Sequence, residues 1–116
     1  MELIITANSK DEMFFEDLKM KYQDGISISR DRNFSGEFDI LSIVIPALIS
    51  SLPTLLFEVL SHYRRKRERE EDTFIKIEVK QKNEENAGLL IRITNADNLE
   101  DPGLLTNKLI DAINTL

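Results

Sequence analysis

A chain of 116 residues with a formal net charge of −6 and no cysteine is long enough to bury roughly two-thirds of its unfolded surface, so one core is expected without disulfides or thiolate metal sites. The acidic balance disfavours a nucleic-acid partner, because matching phosphates needs a positive surface. With no cysteine and no basic or apolar leader after Met1-Glu2, a cytoplasmic location is expected.

Leu3 to Ala7 is a short run of mostly β-forming residues and predicts a first strand. Ser9-Lys10-Asp11-Glu12 fits a capping box, in which the Ser9 hydroxyl and the Glu12 carboxylate satisfy each other's free backbone N–H groups. Phe14, Phe15, Leu18 and Tyr22 follow at helical spacing, and Gly25 is placed to end the helix in the left-handed conformation. Ile26 to Arg30 alternates apolar and polar, predicting a strand that completes a β-α-β unit over residues 1–36. Asp31 to Gly36 reads as a loop.

Ile40 to Phe57 contains no charge, and Leu41, Ile45, Leu48, Leu52, Leu55, Val59 and Tyr63 recur at spacings of four and three. This periodicity predicts a long apolar helix within residues 37–72, kinked by Pro46 and Pro53 or starting late at one of them. Beyond it, Ile75, Ile77 and Val79 alternate with charged residues, as do Leu89, Ile91 and Ile93 with Leu90, Arg92 and Thr94. The polar connector between them predicts an antiparallel hairpin. Asp101-Pro102 supplies an N-cap and a first-turn proline for a last helix, whose apolar face is Leu105, Leu109, Ala112, Ile113 and Leu116. The expected fold is therefore α+β in the order β-α-β-α-β-β-α. One four-stranded mixed sheet is packed by helices, and residues 73–116 share it with the N-terminal unit in a single domain, 1–116.

Catalytic parts are scarce. His62 is the lone histidine, and near a helix end it is expected to face solvent or stabilise the helix dipole. No nucleophile elbow, dinucleotide fingerprint or phosphate loop is present, and the paired carboxylates fall on expected solvated faces. Neither an enzyme nor a cofactor or metal site is expected.

The functional weight falls on the central segment. A helix apolar over more than half its circumference cannot bury all of it on one sheet, so Ile43, Val44, Ile49, Leu56, Phe57 and Leu60 are expected to include surplus exposed surface for an oligomer or a protein partner. Arg64, Arg65, Lys66, Arg67 and Arg69 follow directly, as a basic contact patch or a solvated helix end. The alternative is a membrane protein in which segment 40–60 enters lipid and these cations meet the cytoplasmic surface, although a full span would part the two halves of the sheet.

From Phe38-Asp39-Ile40-Leu41 through Leu60, then Arg64-Arg65-Lys66-Arg67, the strand Phe74 to Val79, a second strand and a closing helix, the chain resembles the bacterial effector-associated constant component family. These are small accessory domains found beside variable effectors in bacterial conflict systems. The family has small residues in the central segment and a tryptophan near its end, where this chain has Pro46, Pro53 and either Tyr63 or Phe57. The resemblance implies an adaptor that couples an effector to a sensor, with no catalytic residues to carry over.

Overall fold

A computed structural model describes residues 1–23, 25–32, 39–95, 97 and 99–116, with the side chains of 31 and 32 excepted. The elements are β1 (Glu2–Asn8), a 3-10 turn (Ser9–Asp11), α1 (Glu12–Tyr22), β2 (Ser27–Arg32), β3 (Asp39–Pro46), α2 (Leu52–Glu68), β4 (Ile75–Lys80), β5 (Gly88–Ile93) and α3 (Pro102–Asn114). The strands form one sheet in the order β2-β3-β1-β4-β5, and every neighbouring pair is antiparallel. The expected four-stranded mixed sheet is thus corrected to a five-stranded antiparallel one.

The additional strand comes from the apolar segment. Residues 40–46 lie in β3 and the helix begins only at Leu52, with Pro53 in its first turn, so there is no long apolar helix. Leu41 and Ile45 misled because a spacing of four satisfies a strand's period of two as well as a helix's 3.6. The β-branched run Ile43-Val44-Ile45 suits a pleated strand, and Pro46, which has no N–H to give a ladder, stands at its end. Of the two late starts, Pro53 is the one adopted. Among the described residues no helix is long and apolar enough to cross a membrane, which removes the span through 40–60.

β1 and β2 run parallel on either side of β3, and β3 and β4 run parallel on either side of β1. The first pair is joined through α1 and the second through α2, so two split β-α-β units interlock, the arrangement of ferredoxin-like folds. The expected β-α-β unit exists, with its strands separated rather than adjacent. β5 and α3 extend this core at one side, α3 packing on α2.

Alternation along the central strands shows which face the helices cover. Leu3, Ile5 and Ala7 of β1, Leu41, Ile43 and Ile45 of β3, and Ile75, Ile77 and Val79 of β4 are buried, each contributing up to about 2 kcal/mol. The alternate residues, including Ile4, Val44 and Glu78, are only partly covered, so the opposite face carries no helix. From α1, Phe15 and Leu18 enter the core, with Phe14 and Tyr22 at its margin. From α3, Leu105, Leu109 and Ile113 do so, whereas Leu116 lies beyond the helix and is exposed.

Two local signals acted differently from expectation. The N-terminal cap is Asn8, whose side chain accepts from the Lys10 N–H at 2.9 Å, and α1 proper starts after Asp11 with no side-chain cap bond. Helix α1 ends at Tyr22 with Gln23 left-handed at φ 43°, two residues before Gly25 adopts φ 78°. At α3 the expected cap holds: Asp101 Oδ1 accepts from Gly103 N at 2.9 Å and Leu104 N at 3.2 Å. The hairpin joining β4 and β5 also stands, with a bulge in β5 where Leu90 is the extra residue opposite the Ile77–Glu78 step. The loop expected over 31–36 is occupied by β2 as far as Arg32, and the rest lies outside the described residues.

Candidate functional site

The turn before α1 points Asp11 inward, because its carboxylate is not used as a helix cap. Helix α2 presents His62, Tyr63 and Lys66 to it within one turn. The Tyr63 hydroxyl donates to Asp11 Oδ2 at 2.8 Å and the Lys66 ammonium donates to Oδ1 at 2.7 Å, while His62 Nε2 lies 3.5 Å from Oδ1, beyond ordinary hydrogen-bond distance. Burial alone would raise the Asp11 pKa, but His62, Lys66 and Tyr63 around the carboxylate, with the positive charge of Lys66, together hold it below the usual aspartate value. Burial, reinforced by the Asp11 charge, pushes the Tyr63 hydroxyl far above its ordinary range, so it remains a donor. The cluster borders a cavity of about 400 Å³ shared with Lys10, Arg69, Glu71 and Asp72.

Chemically this is a brace. A general base needs a free lone pair and a pKa near the working pH, whereas Asp11 is held anionic and its oxygens are occupied. His62, expected at the solvent, instead stacks on Phe14 with ring centroids 3.9 Å apart and planes 5° from parallel. Nothing in the local sequence marks Asp11, since its partners are 52 and 55 residues away.

The basic run is dispersed rather than presented as a patch. Lys66 is buried on Asp11, Arg67 donates to the carbonyls of Asn95 and Asp97, Arg69 pairs with Glu71 at 3.0 Å, and Arg64 faces Glu68 at 3.6 Å. Within this run, only Arg65 stands exposed without an ion pair to the described residues. A helix places the four consecutive cations 64–67 on different sides, and Asp11 in the core and the carbonyls of Asn95 and Asp97 take two of them.

The expected interface residues divide the same way. Ile43, Leu56 and Leu60 are fully buried, which corrects their assignment to exposed surface. Val44 lies on the uncovered sheet face, and Ile49 packs partly on the core from the β3–α2 connection. Of the six expected residues, Phe57 alone is exposed, at 47%. It lines a depression of about 380 Å³ between α1 and α2 with Phe14, Glu58, Ser61 and Arg65. An ion pair from Lys21 to Glu58 ties the two helices at its margin.

Comparisons of the chain with family models, with curated proteins and with solved structures return no match.

Proposed function

We propose that this chain is a non-enzymatic protein-interaction module, an adaptor that docks its partner on the outer side of α2 at Phe57. The observation that carries the reading is the setting of that side chain. An aromatic ring half open to water sits in a concave site beside Phe14, with Arg65 and Glu58 among the lining residues. Aromatic and arginine side chains around a pocket are the usual anchors of protein interfaces, and polar residues around them fix orientation. The resemblance to effector-associated constant components supports the identity of the partner: an effector of a bacterial conflict system, or the sensor that controls it.

The test is co-purification of the full chain with the proteins encoded beside its gene. A stoichiometric complex is expected, lost in Phe57→Glu while the far-UV circular dichroism of that variant is unchanged. No such complex with any neighbouring product, or one that Phe57→Glu leaves intact, overturns the reading.

A further inference from the structure

Phe57, Ser61 and Arg65 stand on successive turns of α2, so they form one row roughly 12 Å long, from eight residues at about 1.5 Å each. An aromatic ring marks one end of the row and a cation the other. The small Ser61 side chain leaves the middle open, and Phe14 of α1 supplies the opposite wall. Gly103, at the start of α3, lies against the Phe57 ring, close enough that a Cβ there would meet Cε2 at 3.9 Å, so the half-exposed ring is backed on one side. The two charges of the depression are unequally engaged. Glu58 is paired with Lys21. The Arg65 guanidinium has no ion pair or hydrogen bond among the described residues, whereas Arg64, Lys66, Arg67 and Arg69 each have a partner. The site is therefore apolar at one end and positive at the other, although the chain as a whole carries a net charge of −6, and the attraction it offers an anion is local to Arg65.

We propose that the occupant of this depression is an extended segment of a partner protein that carries an aromatic or branched aliphatic side chain and, about four residues away, a carboxylate. The inference rests on the reading of Phe57 as the docking site and names what docks there. Charge complementarity selects the carboxylate. A guanidinium offers two parallel hydrogen bonds to a carboxylate, and Glu58 does not take them because Lys21 holds it. A basic partner segment meets no free carboxylate in the depression, for the same reason. The spacing selects the extended form. Residues four apart in a strand lie on one side and are separated by about 13 Å, close to the length of the row, whereas a helix needs about eight residues to cover it. The partner's apolar side chain then covers the open half of Phe57 beside Phe14, and its carboxylate meets Arg65.

Fluorescence polarisation of labelled peptides against the full chain tests this. The probe is Asp-Ser-Gly-Ser-Phe-Ser-Gly-Ser-Asp with blocked ends, which offers a carboxylate on either side of the ring at the proposed spacing. Its counterparts carry Asn or Lys at both Asp positions, or Ala in place of Phe. A contact this small should give a Kd in roughly the 0.1–1 mM range for the Asp peptide. The Asn peptide should bind about fivefold more weakly, the Lys peptide more weakly still, and the Ala peptide not at all. Arg65→Glu should invert the order, so that the Lys peptide binds best, and should keep wild-type circular dichroism because the side chain is exposed. Equal binding of the Asp, Asn and Lys peptides that Phe57→Ala still abolishes overturns the carboxylate preference and leaves Phe57 as the docking site. A wild-type preference for the Lys peptide, or no binding of any peptide at about 1 mM, overturns the proposal, while co-purification decides the Phe57 reading separately. A sedimenting mass that doubles with concentration and returns to 13.4 kDa in Arg65→Glu makes the occupant a second copy of this chain and overturns it equally.

Discussion

Removing the charge of Asp11 would leave the Lys66 ammonium buried without a counter-ion, while Asn in its place keeps the shape and an acceptor for Tyr63. Breaking one partner of a buried pair typically costs about 3 kcal/mol or more, so Asp11→Asn should lower the urea midpoint by that equivalent. The pH dependence follows from the direction of the shift. Because the folded pKa of Asp11 is depressed, its contribution is fully present above the unfolded value of about 3.9 and is lost as pH falls toward the folded one. Wild-type stability should therefore fall more steeply than that of Asp11→Asn below about pH 4, the unfolded aspartate value; equal slopes for the two proteins would remove Asp11 from that role. At the end of α2, Glu70 occupies the left-handed position at φ 56°, with Glu70 N bonded to Arg67 O and Glu71 N to Lys66 O. This is the helix terminus that glycine ordinarily fills, so Glu70→Gly should raise stability by about 0.5–1 kcal/mol, read from the same denaturation curves. Neither site was visible in the chain: Asp11 stood inside a plausible capping box, and a lone Glu in a charged run gives no sign of its φ.

At the scale of the element, α2 supplies a sharp contrast between adjacent residues. Leu56 is fully buried under the helix and Phe57 is half exposed on its outer side. Leu56→Glu would bury an unpaired carboxylate and should abolish cooperative unfolding at 25 °C, whereas Phe57→Glu should shift the midpoint by less than about 1 kcal/mol. Similar losses for the two would mean that the face of α2 has been assigned wrongly. The elements whose signals are local were legible: the Asp101-Pro102 start of α3, the alternation of β4 and the stripe of α1 each rest on neighbours within a few residues. The segment from Ile40 to Leu60 was not, because a buried strand followed closely by a helix shows no polar face at which its period changes. Ile43-Val44-Ile45 closed by Pro46 was the signal that a strand ended there.

For the molecule as a whole, the placement of β1 decides how folding is shared. The first strand in sequence is the middle of the sheet, paired with β3 on one side and β4 on the other, so the expectation that the two ends of the chain share one sheet holds even though its strand number and sense did not. Strand count failed because β3 was hidden in the apolar segment, and sense failed because insertion of β3 between β1 and β2 depends on contacts across the sheet that periodicity does not encode. The consequence is energetic. Residues 73–116 contribute Ile75, Ile77, Val79, Ile93, Leu105, Leu109 and Ile113 to the core. At about 2 kcal/mol each these amount to about 14 kcal/mol of burial, an upper estimate that matches the whole stability of a typical domain. A fragment of residues 1–72 keeps three strands and both of their helices, yet α2 would expose the side it turns to α3 and β1 would lose its pairing with β4. That fragment should show no slow-exchanging amides in β1, and adding residues 73–116 in trans should restore protection there first, since β1 carries the ladder that joins the two parts. A fragment that protects β1 on its own would show that the N-terminal split unit is self-sufficient and that β4, β5 and α3 are an appended layer.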